Sequence, residues 1–393
     1  MRDPVKVVLV GAGGYGESYY SAPLFSQSEV KGFHLVGVVD PYPEKCGYLT
    51  ELRARKIPFF ARLEEFFTQD RCDLAILTSP IHHHCEQTCL ALAHGSHVLC
   101  EKPLCAALEQ IDRMQAAEKA SGKTVTIGYQ WSFSTAIQRL KADSLDGRFG
   151  RPIRFRTVVG WPRDEAYYRR NLWAGRIQTA DGEPILDSPV NNATAHYLHN
   201  MLYVLGPEIS ASAHPSGVEA ELWRSHPIEN YDTAALRIDV GSDVEVLFYT
   251  SHAVKEVQGP IFSYEYEKAT IEYEPVQGRV IARLRGGQTV DYGSPEAAPH
   301  TKIWAAIESA RSGRPPLCGI AAAASHTHCV IQAQEAAAGI RDFSPTLFRT
   351  DRSGTSPRRY VEGLWEAMLQ CYQEGKPFHE VKSVFVAASL APA

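Results

Sequence analysis

The 393-residue sequence predicts two domains of different class. The first, over 1–130, is an α/β domain with a doubly wound parallel sheet. The second, over 131–393, is an α+β domain with a large, open, mostly antiparallel sheet. Three observations carry this. Between Val5 and Gly128, short apolar runs alternate with helical stretches, the rhythm of a parallel sheet. After about Tyr129 that rhythm stops and strand candidates follow one another directly, punctuated by Gly, Pro, Asp and Asn. A chain of this length can also bury two cores.

Taken in order, Val5–Val10 reads as the first strand and Tyr15 to about Gln27 as a helix shortened or bent by Pro23. His34–Val39 is the second strand. Lys45 to Arg55 and Leu63 to Phe67 read as helices. Asp73–Thr78, apolar at nearly every position, suits a strand buried on both faces. A helix from His83 to His94 stops at Gly95. The strand His97–Cys100 runs into Glu101-Lys102-Pro103. A helix from Ala106 to Ala120 and a strand from Thr124 to Gly128 complete the first domain. Beyond it, Ile137–Leu145 and Asn192–Leu205 are helical. Strands are expected at 153–159, 218–224, 233–240, 244–250, 261–266, 269–273 and 280–284. Helices follow at Lys302–Arg311 and Ala321–Ala338. Phe343–Pro357 reads as loop and Tyr360–Gln373 as a last amphipathic helix.

Composition narrows the function classes. The chain is 44% apolar and 22% charged, with a formal net charge of −5 and no basic block, which speaks against nucleic acid or an anionic membrane as main partner. No apolar run spans a bilayer, and the first strand begins too early to leave room for a signal peptide. Nine scattered cysteines suit free thiols in a reducing cytoplasm. Cys85 and Cys89 have no second pair, and the adjacent His82, His83 and His84 cannot converge on one ion, so no metal site is expected. His326 and His328 read as structural.

Gly11-Ala12-Gly13-Gly14-Tyr15-Gly16 is a G-x-G-x-x-G between the first strand and a helix. Gly11 permits the turn, Gly13 lets backbone approach a pyrophosphate, and Gly16 lets the helix pack on the sheet. Asp40, ending the second strand, can accept from a ribose diol. It would repel a 2′-phosphate, and Pro41-Tyr42-Pro43 supplies no arginine, so NAD is expected over NADP. The alternative is a glycine-rich turn in another α/β domain.

The combination resembles the Gfo/Idh/MocA family, the glucose–fructose oxidoreductase and inositol dehydrogenase group. The resemblance rests on Gly11–Gly16 with Asp40, Thr78-Ser79-Pro80 with His84, Val98–Leu104 around Glu101-Lys102-Pro103, the helix carrying His196, and Ile303–Pro316. It implies a Rossmann domain holding NAD or NADP through the glycine loop, Gly14, Tyr15, Asp40, Thr78, Ser79, Pro80, His84, Glu101, Lys102 and Gln130. It implies substrate at the junction over the nicotinamide, oxidation of a sugar or polyol ring hydroxyl, and a homodimer or homotetramer joined through sheet faces.

Lys102 stands beyond a strand's carboxyl end, where an ammonium can stabilise a developing alkoxide. Its position alone fits a surface turn lysine equally well. By resemblance His196 is the acid/base, with an orienting aspartate one turn earlier. This chain has Asn192 there, which can orient an imidazole but brings no charge, and Asp187 or His199 could compensate. A histidine packed in a core is the alternative. Trp161–Trp173, with Arg163, Tyr168 and Trp173, mixes rings and donors as sugar sites do, though a domain-packing loop fits each residue equally. Tyr129 and Trp131 are candidates for the same pocket. Two rival functions stand beside the dehydrogenase: a glycosidase using NAD for transient oxidation, and a non-catalytic dinucleotide-binding sensor.

Overall fold

The computed structural model describes residues 3–381. The chain divides into two compact units, Met1–Ser134 with Ala298–Ala324, and Thr135–Ala297 with Ser325–Ala393.

The first unit is built on β1 (Val5–Val10), β2 (Phe33–Val39), β3 (Phe59–Phe60), β4 (Leu74–Leu77), β5 (His97–Cys100) and β6 (Val125–Ile127). All neighbours pair in parallel, in the order β3-β2-β1-β4-β5-β6. β4 and β5 are buried at every position, as strands covered by helices on both faces must be. The connections reverse direction between β1 and β4, and the crevice beyond the carboxyl ends there is where such sheets bind ligands. β3, two residues long, is too short to show a periodicity. The expected helix from Tyr15 opens as a π segment, Gly16–Ser21, before one α-helical turn and a half, Ala22–Ser26. Pro23 has no N–H to continue a regular ladder, and the wider turn absorbs the break. The helix Thr301–Ser312, distant in sequence, packs into this unit: Ile303, Ala306 and Ile307 share a core with Val7, Leu9 and Leu24.

The second unit holds one sheet of nine strands. They are β7 (Pro152–Gly160), β8 (Gly217–Arg224), β9 (Thr233–Asp239), β10 (Glu245–Ser251), β11 (Gln258–Tyr266), β12 (Ala269–Glu274), β13 (Arg279–Leu284), β14 (Thr289–Gly293) and β15 (Ile340–Asp342). The order is β14-β13-β12-β11-β7-β10-β9-β8-β15, antiparallel except where β7 meets β10 and β15 meets β8. Alternation along β7 sorts the faces. Phe155 stacks on Tyr264 at 4.1 Å, and Tyr264 accepts from Asn200 of the helix Ala195–Val204. Val158, from the other face, joins Leu247, Tyr249 and Trp223 in a core closed by the chain's tail through Phe343, Leu364, Met368 and Phe378.

That tail differs from expectation. The stretch read as loop contains β16 (Phe348–Asp351) and pairs with β17 (Arg358–Val361). The last helix therefore starts later, at Leu364, after Gly363 in the left-handed region at φ +77°. Tyr360 and Val361 are engaged in the hairpin, and the Val361 N–H donates to Ala253 at 2.9 Å.

Candidate active site

Six of the predicted cofactor residues, Gly11, Gly13, Gly14, Gly16, Asp40 and Thr78, meet at the carboxyl ends of β1, β2 and β4. Gly11 has φ +85°, and a Cβ there would stand 2.8 Å from Thr78 Oγ1. A Cβ on Gly16 would lie 1.9 Å from the Gly11 carbonyl oxygen, so only glycine fits. The Thr78 hydroxyl donates to the carbonyls of Val10 and Gly11, tying β4 to the loop. Asp40 holds the loop from the other side. Its Oδ2 accepts from the N–H groups of Ala12 at 2.8 Å and Gly13 at 3.2 Å, and its Oδ1 from Tyr42 N–H at 2.8 Å. A carboxylate offers about four acceptor sites, so one that laces the loop can still receive a ribose hydroxyl. Gly13 is half-buried and Gly14 exposed, with nothing within 4 Å of where the Gly14 side chain would begin. Backbone is thus open to a close-approaching pyrophosphate, and the residues present fit a dinucleotide.

Ser79 donates to Gln87, and its carbonyl faces His84 Nε2 at 2.9 Å. His84 is buried, and its Nδ1 lies 2.8 Å from the Pro103 carbonyl. Oxygens against both nitrogens favour two ring protons, yet burial pushes the His84 pKa down. Burial is the larger effect, so the ring is a neutral bracket between the segment after β4 and the one after β5. Pro80 caps the short turn before that helix.

Lys102 is half-buried just beyond β5. Its backbone N–H donates to Glu101 Oε2 at 3.1 Å. Glu101 is buried, and its Oε1 accepts from both the Tyr20 hydroxyl and the Lys302 ammonium. Burial and the neighbouring carboxylate drive the Tyr20 phenol well above its usual range. Lys302 also donates to Gly128 O at 3.2 Å and Tyr15 Oη at 3.3 Å. The rings of Tyr19, Tyr20 and Tyr15 lie 4.3, 5.4 and 5.5 Å from its Nζ. The sequence reading missed Lys302 and Tyr20. The signal was there for Lys302, which shares the buried stripe of its helix with Ala306 and Ser309. Gln130 is half-buried and opens a short 3₁₀ turn, while Tyr129 and Trp131 are buried.

In the second unit, His196 is the half-buried second residue of the helix Ala195–Val204. Asn192 was expected on the same helix. It lies instead on a π turn, Pro189–Ala193, because Thr194 directs both its N–H (2.9 Å) and its hydroxyl (2.8 Å) to the Pro189 carbonyl. Asn192 Nδ2 donates to Asp187 Oδ1 at 2.8 Å, and Asp187 Oδ2 accepts from Gly175 N–H at 2.7 Å. Because the carboxylate only accepts, the Asn192 amide must turn its NH₂ there and its oxygen elsewhere. Asp187 thus brings a buried negative charge to the position where Asn192 has none.

Arg163 lies over the Tyr167 ring at 4.7 Å, the Tyr168 hydroxyl meets His252 Nδ1 at 3.2 Å, and the Arg170 guanidinium faces Trp173 at 5.1 Å. Beneath them is a polar cluster the sequence did not disclose. Burial pushes His252 well down, helped by Arg163. His226 Nδ1 stands 2.7 Å from Asp232 Oδ2. Burial would raise Asp232, but the hydrogen bond and charge of His226, with the N–H groups of Ser225 and His226, carry it down.

Residues 5–129 match the model of the Gfo/Idh/MocA oxidoreductases, described as a family with an NAD-binding Rossmann fold. Inositol 2-dehydrogenase of Rubrobacter xylanophilus is 25% identical over 288 residues, covering 71% of this chain and 74% of that protein. D-glucoside 3-dehydrogenase of Escherichia coli K12 is 25% identical over 220 residues, 54% of this chain and 57% of that one. In fold, the chain resembles the WlbA dehydrogenase of Bordetella pertussis solved with NADH and UDP-GlcNAcA. The TM-score is 0.68 at 19% identity, over 85% of this chain and 96% of that one. Residues 5–129, among them the loop that Asp40 and Thr78 hold in place, therefore carry the NAD-binding Rossmann fold of the Gfo/Idh/MocA oxidoreductases, the family that this stretch matches.

Proposed function

We propose that the protein is an NAD-dependent dehydrogenase acting on a ring CH–OH of a carbohydrate or polyol. The observation that carries this is Lys102, held through its backbone by buried Glu101 at the carboxyl end of β5 on an NAD-binding sheet. The relatives named as inositol and glucoside dehydrogenases set the substrate class.

The glycine loop, Asp40, Thr78, Ser79, Pro80, His84 and Gln130 hold the cofactor, and bound NAD supplies the hydride acceptor. The Lys102 ammonium hydrogen-bonds the substrate oxygen and stabilises the negative charge that grows there. His196, as the neutral imidazole, takes the hydroxyl proton. Asn192 orients that ring, and Asp187 fixes Asn192. Arg163, Tyr168 and Trp173 present a guanidinium, a phenol and an indole to a sugar's hydroxyls and C–H faces, with Tyr129 and Trp131 as further ring candidates. Asp40, with no cation after it before Lys45, favours NAD over NADP.

The nine cysteines are all free and eight are buried, which fits a reducing compartment, and we place the protein in the cytoplasm. No helix among the described residues is long and apolar enough to cross a membrane. A homodimer or homotetramer, as the resemblance implies, has to form away from the part of the sheet under Leu364–Glu374, and sedimentation of the purified protein reads its size.

The test is to offer the purified protein NAD or NADP with a panel of inositols, glucosides and sugar acids and follow nicotinamide reduction at 340 nm. Accumulating NADH with one or more members is expected. Turnover of a glycoside without net NADH would replace this reading with the NAD-dependent glycosidase, and no turnover with any member would favour the sensor.

A further inference from the structure

Lys302 is a lysine whose side chain is fully buried, brought to the carboxyl end of the parallel sheet from 201 residues beyond Glu101. It joins three segments that the cofactor site requires to stay in register. Its ammonium donates to Glu101 beyond β5, to the Gly128 carbonyl beyond β6, and to the Tyr15 hydroxyl of the glycine loop. Room for the pair is made by Gly128 itself, where a Cβ would stand 2.7 Å from Glu101 Oε1. Glu101 spends its other oxygen on the Lys102 N–H.

The geometry points to Lys302 as a positioning residue that keeps Glu101 aimed, so that Glu101 fixes the backbone from which Lys102 reaches the substrate; this rests on the proposed role of Lys102. A dry carboxylate without its cation turns toward water. That change weakens its hold on the Lys102 amide. The three tyrosine rings favour a cation at this place by the negative charge of their faces. They also exclude water, and the Tyr20 hydroxyl shares the Glu101 oxygen that Lys302 uses. The arrangement reaches the reacting group through backbone, and so it should act on rate more than on affinity.

The test reads the Lys102 amide directly. Hydrogen–deuterium exchange of the peptide ending at Pro103, which has no amide of its own, is compared for wild type, Lys302→Met, Glu101→Gln and the double variant. In Lys302→Met the Lys102 amide is expected to exchange about tenfold faster and kcat to fall about tenfold, with KM and the NAD Kd within about threefold. In Glu101→Gln/Lys302→Met a neutral amide oxygen can again accept from Lys102 without a countercharge, so protection and most of kcat should return. Wild-type exchange and kcat in Lys302→Met, or a double variant as slow and unprotected as the single, would overturn the proposal. Should Lys302→Met not fold, the double variant decides: protection within about threefold of wild type supports the pairing, and its loss overturns it. Failure of the Lys102 reading is distinct. Lys102→Ala would then turn over normally while the exchange results stood.

Discussion

Two carboxylates stand at the carboxyl ends of the same parallel sheet, and they are held in opposite ways. Asp40 is half-buried and, among the described residues, accepts from backbone N–H groups within the stretch 12–42. Glu101 is buried; beside the adjacent Lys102 N–H it leans on two side chains, Tyr20 and Lys302, from elsewhere in the unit. Losing a partner at Asp40 costs about 1.5–3 kcal/mol, since water can replace it. Breaking the Glu101 pair costs about 3–5 kcal/mol, because a charge is left dry and alone. Backbone-held acids are local and tolerant. Side-chain-held acids make distant parts of the chain depend on one another. Asp187 in the second unit, like Glu101, gives one oxygen to a backbone N–H, that of Gly175, and one to a side chain, that of Asn192.

The largest effect should come at the Glu101 end. Lys102→Ala is expected to lower kcat about a hundredfold or more with the NAD Kd little changed, because the contact strengthens as charge develops on the substrate oxygen. Near-normal turnover would make this end purely structural and erase the contrast.

Gly16→Ala tests the Asp40 end by geometry. The added methyl collides with the Gly11 carbonyl, whose side of the loop is fixed by Thr78. NAD affinity by calorimetry should fall about tenfold or more, and a melting temperature lowered by several degrees should accompany it. Unchanged binding would mean that the loop gives way more readily than its hydrogen bonds suggest.

Asp40→Ala should cost less. A preference for NAD over NADP is expected to shrink about tenfold, with kcat on NAD within a fewfold. A large loss of kcat would show that the two ends are coupled.

The Asp187–Asn192 arrangement is probed by pH. Oxidation needs a proton acceptor, so kcat/KM should rise with pH along a histidine limb that His196→Asn removes. Asn192→Asp brings a carboxylate beside the imidazolium and should shift that limb upward. A limb that survives His196→Asn would reassign the base.

The smallest effect is global. Burial holds His84, His199 and His252 below the ordinary histidine value. An unfolded chain protonates them near about 6.5 while the folded one does not, so the unfolded state binds more protons and stability declines as pH falls below that value. Thermal melts should lose a few degrees between about pH 7.5 and 5.5. A flat response would place charged histidines inside the fold, as the two carbonyls facing His84 would favour.

How much of this was legible follows the same division. β1, the glycine loop, Asp40 and the strand ending at Cys100 could be read because each rests on neighbours within a few residues or on alternation of strand and helix. The parallel arrangement could be read from that alternation, but the order of the strands could not, since more than one doubly wound order satisfies it. The partner of Glu101 could not be read, since no local pattern links residues 101 and 302. Nor could the Asp232–His226 pair, formed by a turn between β8 and β9. Asp187 was one of two candidates to compensate Asn192, and the choice depended on a bend that π geometry creates. Short elements such as β3, β16 and β17 carry too few residues for a period to emerge.

The order in which the second sheet acquires its cover has a consequence for synthesis. A ribosome that has translated as far as Asp342 has delivered all nine strands of that sheet, yet Val158, Trp223, Leu247 and Tyr249 still await Leu364, Met368 and Phe378. At about 5–20 residues per second the remaining stretch to Val381 takes on the order of a few seconds. Through that interval the nascent chain carries an apolar sheet face suited to a chaperone or, at high expression, to another unfinished copy. A message truncated after Asp342 makes the interval permanent, and its product should collect with chaperones or in the insoluble fraction even though every residue proposed to bind cofactor or substrate has been made.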